Sequence, residues 1–526
     1  MSKCTRIGLI LVGATICSIL YGADASSGDI TEGPNILVVL SDDQSWPHAG
    51  AYGTDWLSTP HFDTLAREGV LFNNAFVSAP SCAPSRASIL AGRHFYQMEE
   101  GGIHGGFIPA KFPLYTHLLE ASGYRVGYTG KSCGPFWEND EVGQQKDPYG
   151  RKFNQHRISR DKDDIHSWNN IDYAANFREF LSQHPDRPFH FTFSSWEPHR
   201  PYRNGAAEAH GLDPARLDIP SSLPDATVVR RDFNEYAYEI DELDRDIGRF
   251  ISILKEHDLY KNTIIVVTSD NGMPFPHAKM QSYEYGHHVP FVISWPAGIE
   301  AGAATDALVS VPEVAAFFLE AAGCDVPSGM MATTLPNILN LDGFTQNPVN
   351  PFVVWGKEKH NPAREWNRSY PIRALRTDEF LLVKNYEPER WPAGPPPHYK
   401  DFMWRDSALA MAHILENRKE PGIQPFFDRY TRKRPALELF DLRRDVACLH
   451  NLAQQDNYRE LAKRLEVKLD AKLIADGDPR AFGNGELFES TPSLFSNPKD
   501  PDSGEPIFEN FPASREPVPG LRTFRD

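Results

Sequence analysis

A chain of 526 residues exceeds what one ordinary domain needs, so one large domain and a smaller companion are expected. Hydrophobic residues make up 40% and the mean hydropathy is -0.46, which suits a globular protein with a sizeable core and excludes a membrane-embedded one. With 54 Lys+Arg against 71 Asp+Glu the net charge is -17, which argues against a nucleic-acid partner and requires any anion site to be a local cluster of basic groups.

In chain order, the first feature is export-like. Lys3 and Arg6 precede an apolar run over 7–20, too short for a membrane span, and Ala23-Asp-Ala25 fits a small-x-small cleavage site. The reading is a signal peptide over 1–25 and a secreted or periplasmic mature protein with no membrane segment after cleavage. A polar linker over 26–33 follows. Asn35-Ile-Leu-Val-Val-Leu-Ser41 then reads as a strand buried on both faces. Similar runs recur at Tyr124-Arg-Val-Gly-Tyr128, Phe189-His-Phe-Thr-Phe193, Thr263-Ile-Ile-Val-Val-Thr268 and Val289-Pro-Phe-Val-Ile-Ser294, with helical patterns over 116–122, 235–257 and 311–322. This alternation predicts an α/β domain over 33–345 on a largely parallel sheet, whose ligands collect beyond the carboxyl ends of the strands. From 346 to 526 the texture changes. Proline is dense over 391–397, Phe380-Leu-Leu-Val-Lys384 and Leu437-Glu-Leu-Phe440 suggest a small antiparallel sheet, a helix is expected over 458–474, and the tail from Pro479 reads as irregular. This second part is expected to be a smaller α+β subdomain.

Three places carry chemistry. Asp42 and Asp43 end the first buried run, and Asp270 and Asn271 end a later one. Carboxylates at one edge of a parallel sheet repel unless a cation lies among them, and oxygen-only donors select Ca²⁺ or Mg²⁺ over zinc; turn chemistry alone also accounts for each pair. The third place is Ser81-Cys-Ala-Pro-Ser-Arg-Ala-Ser-Ile-Leu-Ala-Gly-Arg93. Pro84 fits the first turn of a helix, so Cys82 falls at a helix N-terminus that favours an anion, with Arg86 one turn later. The residues alone allow an activated cysteine, a phosphate-like anion site or a buried structural cysteine. The other cysteines beyond the leader are Cys133, Cys324 and Cys448, so at most one disulfide forms among them.

Cys82-x-Pro84-Ser85-Arg86 followed by Ala-Ser-Ile-Leu-Ala-Gly-Arg93 resembles the signature of the type I sulfatases, and further segments fall in that family's order. These are Pro34 to Asp43, Thr59-Pro-His-Phe-Asp63, Gly69-Val-Leu-Phe72, Gly130-Lys131, Ser269-Asp-Asn-Gly272, Leu439-Phe-Asp-Leu442 and Asn451-Leu-Ala453. The resemblance implies an alkaline-phosphatase-like fold and a sulfuric ester hydrolase. It implies a nucleophile made by oxidising Cys82 to formylglycine, hydrated to a gem-diol, by a formylglycine-generating enzyme or an anaerobic maturase. It also implies one Ca²⁺, Mg²⁺ being less favoured, held by Asp42, Asp43, Asp270, Asn271 and residue 82. Arg86 would orient the diol, Lys131 and Lys279 would clamp sulfate oxygens, and His199 or Lys279 would protonate the leaving group. Within the family, Asp270-Asn-Gly-Met-Pro-Phe-Pro276, Ser369-Tyr-Pro-Ile-Arg373 and Ser195-Trp-Glu-Pro-His-Arg200 are most similar to the N-sulfoglucosamine sulfohydrolases, also called heparan N-sulfatases.

Two departures shape the expectation. The family commonly has a histidine two residues after the Gly-Lys lysine, where this chain has Cys133. Its substitute is expected among His277, His104 and His288, with His277 first. Lys279 stands where the N-sulfatase pattern has arginine. Lysine with a lowered pKa donates a proton as arginine does not, so an O-sulfated glycan is the favoured substrate and a sulfamated glucosamine the alternative. His360, Arg364, Glu365 and Arg373 are candidate sugar contacts, with aromatics near Trp391 able to stack. Two rival readings are a phosphatase or phosphodiesterase of the same architecture and an inactive exported glycan-binding protein. The lone sequon Asn367-Arg-Ser369 leans towards a bacterial origin.

Overall fold

The protein is described by a computed structural model covering residues 33–133, 147–158, 169–361, 363–397, 399, 401 and 408–491. The expected signal peptide and the end of the chain from 492 lie outside the described residues. Among the described residues, no helix is long and apolar enough to cross a membrane.

Eight strands form the large sheet. In spatial order they are Ala303–Thr305, Val70–Phe72, Phe291–Ser294, Thr263–Ser269, Asn35–Ser41, Phe189–Ser194, Arg125–Gly130 and Arg151–Lys152. Phe291–Ser294 runs antiparallel to both its neighbours, and the other pairings are parallel. The central strands are buried at every position because both faces are covered, and most of their residues are apolar. Ile36, Val38 and Leu40 face one core with Ile264 and Val266, packed under the helices Cys82–Ala91, Tyr115–Ala121 and Val314–Ala321. Leu37 and Val39 face the other with Phe189, Phe191, Phe193, Ile265 and Val267, under Pro60–Glu68, Tyr173–Ser182 and Thr227–Glu256.

A second sheet takes Val353–Lys357, Ile372–Arg376, Phe380–Asn385 and Leu437–Asp441 in that order, all antiparallel. Its alternation is also two-sided. Val354, Leu375, Leu382 and Leu439 meet Leu465, Leu469 and Leu473 of the helix Arg459–Asp476. Trp355, Ala374, Leu381 and Phe440 turn the other way and pack with Phe76 and Tyr283 of the first part. The tail expected to be irregular from Pro479 is ordered in its described part, up to residue 491. Pro479–Phe482 is a 3-10 turn and Glu486–Ser490 a short helix, because Phe488 is fully buried in the second core and Glu489 bridges Arg390 and Arg480.

Candidate active site

The register of the sheet assembles the site. Ser41 pairs with Ser269, so Asp42 and Asp270 leave the sheet side by side; Gly130 pairs with Ser194, and Leu40 with Ser194 on its other flank. The chain exits are then fixed by Asp270 N–H to Ser41 O at 3.1 Å and Lys131 N–H to Ser194 O at 2.8 Å. Parallel strands in register therefore place Asp42, Asp43, Asp270, Asn271 and Lys131 along one carboxyl edge, as open α/β sheets do with their ligands. Gly130 sits at φ 98°, and a Cβ there would fall 1.8 Å from Ser194 O, so only glycine turns Lys131 into the site.

Cys82 opens the helix Cys82–Ala91, whose ten residues are all buried. The helix places Cys82 at its N-terminus and Arg86 one turn on. The Arg86 guanidinium is fully buried; Nε donates to Asp270 Oδ2 at 2.6 Å, one amino group donates to Ser194 Oγ at 2.5 Å, and the other lies 3.9 Å from Asp42 Oδ2. Lys131 Nζ donates to Asp42 Oδ2 and lies 5.3 Å from the Trp196 ring centre. Lys279 Nζ contacts both Asp43 oxygens, at 2.5 and 2.7 Å. Lys279 is presented by a loop with His277 at φ 67° and Met280 at φ 65°, and Asp43 itself is at φ 76°. Such left-handed residues persist where surrounding contacts over-determine them, and they cluster at functional sites.

One carboxylate oxygen from each of Asp42, Asp43 and Asp270 lies within 4.8 Å of the others, and all three residues are fully buried. Asn271 donates its amide to Asp43 Oδ1 at 2.8 Å, which leaves Asn271 Oδ1 buried without a hydrogen-bond partner, like Asp42 Oδ1. Two orphaned buried oxygens beside three carboxylates fit a hard cation with oxygen ligands. A second group within the same 4.8 Å reach is Asp42, Cys82 and His199. His199 Nδ1 meets the Arg200 carbonyl, so it carries the proton and Nε2 is the nitrogen that lies 3.9 Å from Asp43 Oδ2. Arg200 clamps this turn to the long helix through Asp232, at 2.7 and 2.8 Å.

The charges respond to one another. Burial works to raise the Asp42 carboxyl, but Lys131 and His199, with Arg86, hold it below the usual carboxylate range. For Asp270, burial and the nearby Asp42 prevail over Arg86 and push it up. Burial works to lower Lys279, yet Asp43, Cys82, Asp42 and Asp270 together hold it well above the ordinary lysine value. The expectation of a lowered Lys279 pKa is therefore corrected: its nearest neighbour is a carboxylate, not another cation.

The remaining candidates separate. Arg373 is fully buried, gripped by Asp478 at 2.6 and 2.9 Å and by Glu358 at 2.8 Å, so it ties the second sheet to the turn that begins at Asp478. Arg364 is likewise turned inward, onto the Trp391 and Pro392 carbonyls and Asp401 at 3.1 Å. Glu365 opens a short 3-10 turn and is exposed, and the Trp391 ring lies under Lys433 at 5.6 Å. His277 stacks on Tyr283 and meets the Ala447 carbonyl at 2.9 Å, within the field of Arg434 and Arg429; His288 stacks on Trp46 and pairs with Glu284 at 3.2 Å. Both are framework residues. Of the three histidines considered as substitutes, His104 is the one in the field of Lys279 and Lys131, and His360 stacks on it. Sequence reasoning missed Ser194, which no motif singles out, and gave Trp196 no role although it lies in the Ser195–Arg200 stretch. The four cysteines among the described residues are all free thiols, so no disulfide forms among them.

A profile of the Sulfatase family matches residues 34–324 of this chain. A curated "Ulvan-active sulfatase" of Formosa agariphila is 24% identical over 530 aligned residues, covering 91% of this chain and 82% of the relative. The human "N-sulphoglucosamine sulphohydrolase" is 28% identical over 480, covering 83% and 89%. Among solved structures, a protein in complex with its substrate D-glucosamine-2-N,6-O-disulfate shares the fold with a TM-score of 0.59 at 18% identity, covering 85% of this chain and 99% of that one. The strand-edge carboxylates, the buried cysteine helix and the matched span, which is more than half of the sequence, lead to one conclusion: this chain belongs to the sulfatase family and is a sulfuric ester hydrolase.

Proposed function

We propose that this sulfatase hydrolyses O-sulfate esters of sulfated glycans, using residue 82 as formylglycine and one Ca²⁺ held by Asp42, Asp43, Asp270 and Asn271. Mg²⁺ is the weaker fit, because it keeps its waters where this site offers several protein oxygens. The observation that carries the reading is the pair of orphaned buried oxygens, Asp42 Oδ1 and Asn271 Oδ1, among carboxylates that close around the end of the cysteine helix. The curated relatives, one named for ulvan and one for N-sulphoglucosamine, support a sulfated carbohydrate as the substrate class.

When bound, the cation neutralises charge on the sulfate oxygens and eases deprotonation of the hydrated aldehyde at residue 82. The chain's own residues do the rest. Arg86, fixed by Asp270 and Ser194, orients the side chain of residue 82. Lys131 and Lys279 bind the sulfate oxygens on which charge grows in the transition state. Lys279 is buried and held protonated, so it serves as a charge clamp and the proton donor is His199. With Nδ1 fixed on the Arg200 carbonyl, His199 Nε2 is the atom that hands a proton to the leaving oxygen. Either leaving group, alkoxide or amine, needs that proton; the ester is preferred because Lys279 departs from the arginine of the N-sulfatase pattern, and it does so as a fixed cation, not as a proton donor. The protein works after export, secreted or in a periplasm, and depends on its host's formylglycine-generating enzyme or anaerobic maturase.

Peptide mass spectrometry of active enzyme tests this directly. The aldehyde should appear at residue 82 in proportion to specific activity, and Cys82→Ser should lose at least about 1,000-fold in kcat. Full activity in protein carrying only unmodified cysteine at position 82 contradicts it.

A further inference from the structure

The wall of the site built jointly by the two sheets' domains carries a feature the catalytic scheme does not use. Gly101-Gly-Ile-His104-Gly-Gly106 folds into a tight loop after the cysteine helix; a Cβ at Gly106 would fall 1.7 Å from Glu100 O. The loop brings His104 face to face with His360, which lies just beyond the strand Val353–Lys357 of the second sheet. The rings stack at 4.0 Å with 15° between planes. Two further bonds fix the pair: His104 N–H donates to Lys359 O at 3.1 Å, and His104 Nδ1 meets the His360 carbonyl at 3.2 Å. A carbonyl only accepts, so His104 Nδ1 carries the proton and its Nε2 is an acceptor. Both residues are partly exposed, and both lie in the field of Lys279, with Lys131 also acting on His104 and Lys357 and His199 on His360.

We propose that the stacked His104–His360 pair is the surface that recognises the sugar carrying the scissile sulfate, and that it takes a neutral, hydroxyl-bearing edge of that ring. The proposal rests on the sulfatase reading above and adds the identity of the recognised group. Stacked imidazoles at this separation do not both hold a charge. Burial, with Lys279 and Lys131, pushes His104 down to about 3, and burial with His104 and Lys279 holds His360 well below the ordinary histidine value. The pair therefore presents neutral hydrogen-bonding groups beside a pocket whose cations are already directed at one sulfate. Two further lysines line the cavity beside His360, and each is held by a backbone carbonyl: Lys357 donates to Met280 O at 2.5 Å and Lys359 to Thr491 O at 2.8 Å. Hydroxyl groups, which both donate and accept, match neutral imidazoles; a second sulfate or a carboxylate would meet lysines already engaged by Asp43, Asp42 and backbone carbonyls.

The test compares two leaving groups in the mature, calcium-loaded enzyme: a monosulfated sugar ester and a simple aryl sulfate, which has no neighbouring hydroxyls. His360→Phe keeps a ring to stack but removes the nitrogens, and His360→Gln keeps hydrogen-bonding groups. The expected result is that His360→Phe lowers kcat/KM on the sugar at least tenfold more than on the aryl sulfate, mostly through KM, and that His360→Gln recovers part of the difference. His104→Phe should behave as His360→Phe does, and thermal melts identify any variant that fails to fold. Equal losses on both substrates, or a tenfold preference of the wild type for a disulfated over a monosulfated ring, overturn the subsite while leaving the sulfatase reading intact. A wild type that releases sulfate from neither substrate overturns that reading and the subsite with it.

Discussion

Lys279 shows how far a residue's chemistry depends on its neighbours. Its position after the Asp270 loop is visible in the sequence, and so is its replacement of an arginine in the N-sulfatase pattern. Its partner is not visible, because Asp43 lies 236 positions away. Contact with that carboxylate turns an expected proton donor into a fixed cation. Lys279→Ala should lower kcat by about 100-fold with a smaller change in KM, since the charge it meets is largest in the transition state. Steady-state kinetics on a sulfated sugar check this, and a pure KM effect counts against the role. The same limit explains Arg373, Arg364 and His277. Their residue types suggest ligand contacts, but Asp478, Asp401 and the Ala447 carbonyl absorb them, and those partners are 105, 37 and 170 positions away. Asp42, Asp43 and Asp270 could be singled out as candidates because each follows a buried strand run, and Cys82 because it opens the Cys-x-Pro-Ser-Arg pattern.

At the scale of elements, the buried strands were readable because burial on both sides leaves a largely apolar run, and the cysteine helix because Pro84 marks its first turn. Elements with weaker local patterns were not. The predicted run over 289–294 divides at Pro290, which lacks an N–H: His288–Val289 joins a three-stranded ladder and Phe291–Ser294 joins the large sheet. The helix expected over 235–257 begins earlier, at Thr227, where no side chain caps it and β-branched residues obscure the start. Val70–Phe72 and Ala303–Thr305 are strands of three residues, too short to show a period. Gly130 tests whether the sheet edge positions the chemistry. Gly130→Ala places a Cβ against Ser194 O in a left-handed conformation, so it should destabilise the fold by at least about 1 kcal/mol and cost activity beyond the fraction unfolded. Denaturant midpoints and kcat measured on the same preparation check this; wild-type values for both sink the argument.

For the whole molecule, the small antiparallel sheet was legible from the change in texture, whereas its packing against Phe76 and Tyr283 was not, since it depends on tertiary contacts. The buried histidines give the molecule a pH signature. Burial lowers His48 to about 3, His190 to about 3 and His94 to about 4 from an ordinary 6.5. Each is neutral in the folded protein and protonated in the unfolded chain between those limits. Their contribution is fully present above pH 6.5 and is lost as pH falls through that window towards 3. Each contributes about 1.4 kcal/mol per pH unit there. Melting temperatures should therefore fall steadily from pH 6.5 to pH 4.5, and a flat profile contradicts the burial. The central claim is sulfate-ester hydrolysis at the strand-edge site. It is tested most directly by free-sulfate release from a panel of O-sulfated oligosaccharides and N-sulfoglucosamine, with and without a calcium chelator. The account predicts chelator-sensitive release from at least one O-sulfated sugar and little from the sulfamate. Efficient release from N-sulfoglucosamine with none from any O-sulfated sugar would contradict it.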